Sequence, residues 1–411
     1  MQPTPGKQYT IQDENTLSQV AQRAYGDATF WIRIWNANQT ILRSGNPDLI
    51  FPGETILIPV LPERQLPPSP AGNQDQNGIF LNLDGRIIRP MAARLIRSMD
   101  LVANGFQCTI PWEPGIDTGL DDLVAPYSYT PAIASIGSTP IVTGILYGTE
   151  PVISQGTVLN LSGATATADL VDSTWKPPYE HNSKTLKDLI IEIVKPLGFN
   201  VIFEADTGGE FDRVVATKGQ GIFAFLSGLA RQRSVLLSCN TGTDLVVTQA
   251  NTDGVPVATL EEGVTLGVTG WGSAFDGRQR FNVYRATSQS PLGNSEGLAT
   301  DQKVPRTRFK DITANESQSG NLKAAAEWAR NKTLADALSF QLTVEGWYKD
   351  NGEPWAENEI VTVISKSMFL PQGFDFLINR VEYVLGPNGR SSVLSFVPPT
   401  VYTQGEIVEP W

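Results

Sequence analysis

Apolar residues follow two different periods along the chain, and each change of period marks a change of structure. Between residues 8 and 60, Tyr9 and Ile11 alternate, while Leu17, Val20, Ala21 and Ala24 recur at helical spacing behind Asn15 and Thr16, either of which can cap. Trp31, Ile34 and Trp35 form a second apolar face, and GNPDLIFPGETILIP closes the segment with a Pro-Asp turn, a Pro-Gly turn and a short alternating strand. The order is strand, helix, helix, strand. A domain this small buries only about 60% of its unfolded surface, so two tryptophans help to fill its core.

Residues 61–78, LPERQLPPSPAGNQDQNG, cannot bury enough apolar surface to offset ordering entropy and read as a semi-extended linker. From 79 to 175 the stretches FQCTI, PIVTGILYG and TVLNLSG alternate between Gly and Pro punctuation, as in a sandwich or small barrel. The period then lengthens. Leu186, Leu189, Ile190, Ile193, Val194 and Leu197 fall on one helical face, NVIFE follows as a strand, and Ile222, Phe225, Leu226 and Leu229 repeat the pattern before VLLS and DLVVTQ. Residues 176–270 therefore read as an α/β unit.

Strands return from 271 to 400. RFNVYRAT leads into the polar stretch 287–320, too long for an idle connection. A helix over 321–338 precedes FQLTVEGW, IVTVIS, FLINRVEYVL and SVLSFV, and KDNGE and GPNGR each place Asn-Gly between strands. FQCTI (106–110) and FQLTV (340–344) echo one another across the α/β unit, a hint of two similar β-domains. Residues 401–411 form a tail. The fold class is α+β and multidomain: a small βααβ domain, then two β-barrel domains flanking an α/β unit.

At 411 residues and about 150 per domain, roughly three sizeable cores are expected. A net charge of -12 lacks the sequence-independent attraction that drives nucleic-acid binding, which disfavours a DNA-gripping role. Cys108 and Cys239 form no CxxC pair and read as buried thiols from a reducing compartment. No basic, apolar leader is readable at the N-terminus, and the runs LIIEIV and GIFAFL fall far short of the roughly 20 residues that a membrane helix needs.

Catalytic equipment is sparse. Gly219, Gly221 and Ala224 match GxGxxA, with Asp244 further on, but the parallel βαβ repeats of a dinucleotide fold are missing, so the block reads as a turn and a helix start. His181, the one histidine, lies in PPYEHNSK and reads as a solvated loop residue, with no GxSxG elbow to partner it. Asp121-Asp122 and Glu261-Glu262 read as solvated turn acids rather than a glycosidase pair. The scattered tryptophans Trp112, Trp175, Trp271, Trp328, Trp347 and Trp355 read as core or interface anchors. No enzyme activity, cofactor or metal is expected.

YTIQDENTLSQVAQRAYGD, FWIRIWNAN and NPDLIFPGETILIP together resemble a LysM domain over residues 8–60. The resemblance implies a groove formed by Asp13, Glu14, Asn15 and Thr16 on one loop and Asn46, Pro47, Asp48, Leu49, Ile50 and Phe51 on another. Glu14-Asn15-Thr16 stands where glycan-binding members carry Gly-Asp-Thr, and TILRSG lengthens the intervening loop, so a docking role is expected over sugar binding. Residues 80–400 resemble the baseplate hub proteins of contractile phage tails, the late-control-D and Mu-type family. The residues that carry this are ATADLVDSTW, SKTLKDLIIEIVKPLGFNVIFE, GQGIFAFLSGLARQRSVLLS and AAAEWARNKTLADALSFQLTVEGWYKDNGEPWAENEIVTV.

That resemblance implies a structural homotrimer with two barrels per chain, adapting a sixfold tail tube to a threefold spike. Its expected partners are tail tube protein, central spike protein, and baseplate wedge or sheath proteins reached through the LysM-like module, with DNA passing a channel that does not bind it specifically. The expected location is the virion tail baseplate, after assembly in the host cytoplasm. The alternative reading is a cell-wall protein holding peptidoglycan through the LysM-like module. A hub that also cuts peptidoglycan would need a further domain, and every segment is assigned elsewhere.

Overall fold

The computed structural model describes residues 3–59 and 78–409, apart from 14, 26–27, 29–30, 40, 45, 48, 100, 154–155, 243, 289–294, 314–321 and 404–407. The chain divides into two compact units, Met1–Gln65 and Leu66–Trp411. The expected linker thus lies outside the described residues, Gly78 excepted.

In the first unit, β1 (Gln8–Thr10) pairs antiparallel with β2 (Thr55–Leu57), and α1 (Leu17–Tyr25) and α2 (Trp31–Asn38) lie between them in sequence. Tyr9, Leu17, Val20, Ala21, Ile34, Ile56 and Ile58 form the core, with Trp31 and Trp35 packed half-buried against it. Asn38 is buried at the end of α2. Its amide donates to the carbonyls of Ile34 (2.6 Å) and Leu57 (2.8 Å) and accepts from the Leu57 N–H (2.8 Å), so one side chain satisfies backbone groups on both elements.

The second unit is dominated by one 13-stranded sheet. Its first half comprises β3 (Ile79–Leu83), β4 (Arg86–Ile88), β5 (Ala92–Ser98), β6 (Gly105–Pro111), β7 (Pro131–Ile136), β8 (Thr139–Ile153) and β9 (Thr157–Thr165), with α3 (Thr118–Leu123) between β6 and β7. Then α4 (Asp169–Asp172) leads into a layer of mixed elements: β10 (Glu180–Lys184), α5 (Leu186–Val194), β11 (Val201–Phe203), β12 (Phe211–Val215), α6 (Ile222–Arg231), β13 (Leu236–Cys239) and β14 (Leu245–Thr248). Here β10 pairs with β12, and β14 is the middle strand between β11 and β13. A capping box starts α5, the Thr185 hydroxyl accepting from the Asp188 N–H at 3.1 Å while the Asp188 carboxylate accepts from the Thr185 N–H at 3.2 Å. Leu186, Leu189, Ile190 and Val194 then face Ile222, Phe225, Leu226 and Leu229 of α6 in a separate core.

The chain returns to the large sheet with β15 (Ala258–Glu261) and β16 (Val268–Phe275), so β15, inside the segment expected to be α/β, is a sheet strand. Next come β17 (Val283–Ser288), β18 (Ser295–Thr300) and β19 (Phe309–Thr313), and α7 (Leu322–Ala337). The polar stretch 287–320, expected as a long loop, therefore carries strands. They are short, and their buried positions include Gly297 and Ala299, Ala299 packing in one small core with Leu322 and Ala326 of α7; small residues leave little apolar signal in sequence. The second half of the sheet finishes with β20 (Leu338–Glu345), β21 (Ile360–Ser365), β22 (Leu370–Gly386) and β23 (Gly389–Val397).

The two halves repeat one wiring. In the first the strand order is β3-β7-β8-β9-β6-β5, and in the second it is β15-β21-β22-β23-β20-β16, with each strand matched to its counterpart in chain order. Register agrees as well. Leu95, Phe106, Gly163 and Leu146 lie opposite one another across β5, β6, β9 and β8, as Ser273, Phe340, Phe396 and Ile378 do across β16, β20, β23 and β22. Both long strands bulge at the next step, between Leu146 and Gly148 and between Ile378 and Arg380. Phe106 and Phe340 are the first residues of the echoed pentapeptides, which thus occupy equivalent places. The copies differ in that β3–β7 is antiparallel but β15–β21 is parallel, and in the β17–β19 and α7 insertion before β20.

The two expected β-barrel domains flanking the α/β unit are not found as closed barrels. The halves are joined edge to edge, residues 380–385 of β22 pairing antiparallel with residues 93–98 of β5, and no closed barrel is found among the described residues. The physical reason is strand length. β8 and β22 run for 15 and 17 residues, outreach their partners β7 and β21, and carry their distal halves on to other neighbours. Side chains from both halves share one core, from Ile79 and Leu95 to Phe376 and Leu394.

Candidate functional site

In the first unit the antiparallel register brings the two loops expected to form a groove to one end of β1–β2. Beyond the Thr10–Thr55 pair, the Ile11 N–H donates to the Glu54 carbonyl (2.8 Å) and the Gly53 N–H to the Ile11 carbonyl (2.9 Å). Asn15 accepts from the Tyr9 hydroxyl at 2.8 Å, and Thr16 and Gln19 exchange hydrogen bonds at 3.1 and 3.2 Å that start α1. On the other loop, Asn46 is exposed, Pro47 and Ile50 are half-buried, and Leu49 and Phe51 are 50% and 40% exposed. Asp13 is exposed; Glu14 and Asp48 lie outside the described residues.

Sequence reasoning passed over Glu54, although it holds that loop in place. Its buried carboxylate accepts from the backbone N–H of Arg43 (2.9 Å) and Phe51 (2.8 Å). Desolvation raises its pKa, but those two donors and the Arg43 charge outweigh it and hold the group below the ordinary glutamate value. The surface beside it offers exposed apolar side chains and backbone groups. It has the means to dock a partner, and none of its described residues is a group poised for bond breaking.

One acid of each pair in the second unit serves structure. Asp121 accepts from the Trp112 indole (2.7 Å) and the Gly115 N–H (2.8 Å), and Glu262 accepts from the Ser365 hydroxyl (2.7 Å) and the Ser367 N–H (3.2 Å). Gly219 sits in a turn at φ +82°, and Gly221 is the N-cap of α6, so the GxGxxA block is a turn and a helix start. His181 corrects an expectation. It is buried in β10, edge-on to Trp175 at 5.5 Å between ring centroids and 3.7 Å from a Glu192 carboxylate oxygen, because its strand turns that face toward Trp175 and α5. Cys108 and Cys239 are buried and unbridged, and burial pushes the Cys108 thiol up to about 12. Among the described residues no group of His, Cys, Asp and Glu could hold a metal ion, and no helix is long and apolar enough to cross a membrane. Glu409 of the tail accepts from Arg280 (2.9 Å) and Lys303 (3.0 Å), which ties the tail back onto its own unit.

What remains exposed and extended is sheet edge. Among the described residues no strand pairs with the outer side of β16, nor with the side of the distal half of β8 that faces away from β9, where Val152 and Ile153 are 36% and 81% exposed.

The mostly β-rich, multidomain fold is similar to that of phage tail hub proteins. The second domain of the baseplate hub protein gp44-like family matches residues 167–249, and the fourth domain of the Mu phage baseplate assembly protein GpP matches residues 318–405. Baseplate hub protein gp44 of Escherichia phage Mu is 24% identical over 350 residues, 78% of this chain and 88% of that one. Among solved structures, the 43 kDa tail protein of prophage MuSo2 from Shewanella oneidensis superposes with a TM-score of 0.68 at 25% identity, over 79% of this chain and all of that one. A tail protein from Neisseria meningitidis MC58 has the same fold, with a TM-score of 0.69 at 18% identity over 79% of this chain and 97% of its own.

The chain is thus similar to the Mu-type baseplate hub proteins of the gp44 and GpP families, and those relatives are structural tail proteins and not enzymes. The chain is a structural baseplate hub component of a Mu-like phage tail.

Proposed function

We propose that the chain acts as a homotrimeric symmetry adaptor between a sixfold tail tube and a threefold spike, with the LysM-like first unit docking a peripheral wedge or sheath protein. The observation that carries this reading is the duplicated strand wiring. A ring of three chains that each present two like-wired half-sheets offers six near-equivalent surfaces on one face and three on the other. Each half-sheet takes the part of one barrel domain of the hub. DNA crosses the centre without specific binding, in keeping with the acidic net charge of -12.

The exposed Leu49 and Phe51 on one end of the first unit supply apolar anchors for a protein partner. Deleting residues 1–78 is expected to leave the trimer and its binding to tail tube protein unchanged while abolishing capture of wedge or sheath protein. Pull-down from assembling tails checks both. Loss of trimers on that deletion would overturn the assignment of the first unit as a peripheral dock.

A further inference from the structure

The duplication makes one half of the sheet a control for the other. Leu146 and Ile378 are equivalent by register, and each makes the same backbone bond to the residue before the neighbouring strand. The Leu146 N–H donates to the Thr130 carbonyl (2.9 Å) and the Ile378 N–H to the Glu359 carbonyl (2.8 Å). Tyr129 therefore stands where Asn358 stands in the second half. Both are left-handed, at φ +49° and +66°. Asparagine adopts that conformation readily and tyrosine does not.

Asn358 uses its side chain within the chain. Its amide donates to the Gln249 carbonyl (3.1 Å) and accepts from the Asn251 N–H (2.8 Å), so the segment leading into β15 lies across it. Among the described residues no such segment reaches Tyr129, and the reason is strand direction. β15 runs parallel to β21, so its lead-in passes the start of β21, whereas β3 runs antiparallel to β7 and is entered at the far end. Where the Ile360 carbonyl accepts from the Val257 N–H (2.8 Å), the Pro131 carbonyl accepts from the Asp84 N–H (3.0 Å), after which the chain turns back into β4. Tyr129 is 58% exposed and edge-on to Tyr147 at 6.3 Å between ring centroids, and Tyr127, two residues earlier, is 84% exposed.

Tyr127 is left-handed too, at φ +63°. The Ser128 and Thr130 hydroxyls donate to the Leu123 carbonyl at 3.0 and 2.6 Å and pin the loop that carries both rings. Backbone strain of this kind clusters at binding sites, and a pinned loop has little freedom left to lose when a partner arrives. The charge beside the rings is negative. Asp169 accepts from the Tyr147 hydroxyl at 3.1 Å, and the exposed Asp84 flanks the start of β7, while Arg86 is engaged by Asp117.

We propose that Tyr127, Tyr129 and Tyr147 bind an extended, arginine- or lysine-bearing segment of another tail protein, laid across Tyr129 as the segment from Gln249 to Asn251 lies across Asn358. A cation is drawn both to the face of a tyrosine ring and to a neighbouring carboxylate; a neutral or acidic segment gains neither. The site is complete within one chain, so it stands whether or not the chain closes a ring.

Fluorescence anisotropy of the full chain with a short labelled peptide of alternating arginine and serine tests this, with citrulline in place of arginine as the neutral control. The arginine peptide is expected to bind, and Tyr129→Asn and Asp169→Asn each to weaken it about tenfold, as loss of an interface anchor does. Tyr129→Asn leaves the net charge unchanged, so its effect separates docking at the rings from general attraction to an acidic chain. That variant should be as stable to urea as the parent, since asparagine suits the left-handed backbone at this position. No binding of the arginine peptide, equal binding by parent and Tyr129→Asn, or equal binding of the citrulline peptide would overturn the proposal. So would self-association of the parent that Tyr129→Asn abolishes, which would assign the surface to a second copy.

Discussion

Replacing Gly144 with valine is expected to destabilise the second unit by about 3 kcal/mol or more, the upper end of what overpacking costs. A Cβ at this position would lie 1.8 Å from the Ala164 carbonyl oxygen, 2.5 Å from its carbon and 2.7 Å from the Thr165 Cα. All three atoms belong to the backbone of β9, so no rotamer change relieves the clash and the strands must part. Gly144 sits where β8 leaves β7 and continues beside β9, the crossing on which the whole first half turns. In urea the midpoint should fall sharply at unchanged slope. Gly228→Ala in α6 is the matched control: nothing lies within 4 Å of its Cβ, and a helical alanine should add about 0.5–1 kcal/mol. A G144V protein as stable as the parent would mean that β8 and β9 are not in this register.

Glu357→Gln is expected to cost about 3–5 kcal/mol, the range for a buried ion pair deprived of one charge. Arg97 of β5 donates through Nε to a Glu357 carboxylate oxygen at 3.0 Å and through a terminal nitrogen to the same atom, and the side chains are 17% and 9% exposed. Desolvation alone would lower the Arg97 pKa, but the Glu357 charge, with Tyr383 and the hydrogen bonds, more than offsets it and the net shift is upward. A neutral amide in place of the carboxylate would leave that cation buried without a counter-charge. The pair spans the junction, since Arg97 is on β5 and Glu357 precedes β21, so its loss loosens the two halves from each other. The double variant R97M/E357M should recover much of the loss, because an apolar pair leaves no orphaned charge. Equal stability of E357Q and parent by denaturant titration would contradict the account.

Local signals found the helices and missed the long strands. The apolar face from Leu186 to Val194 and that from Ile222 to Leu229 belong to α5 and α6 as the spacing predicts, because one stripe per helix packs on the other. In β8, however, PIVTGILYG reads as a short stretch ending at Gly148, when it is part of a single bulged strand that runs from Thr139 through Pro151 to Ile153 and whose glycines admit close neighbours. The GPNGR hairpin is real, but Gly386 pairs with Gly389 and the turn residues are Pro387 and Asn388. The β5–β22 pairing joins residues some hundreds apart and has no local trace at all. His181 misled because polar neighbours mark a loop, whereas burial here comes from Trp175 and α5 packing on one face of β10. The pentapeptide echo was legible, and it pointed to the duplication.

The account turns on identical chains closing a ring through two like halves. Multi-angle light scattering of the intact protein over a wide concentration range tests this most directly. Three copies per particle are predicted, in a species that persists on dilution. A single-chain mass at every concentration would contradict it.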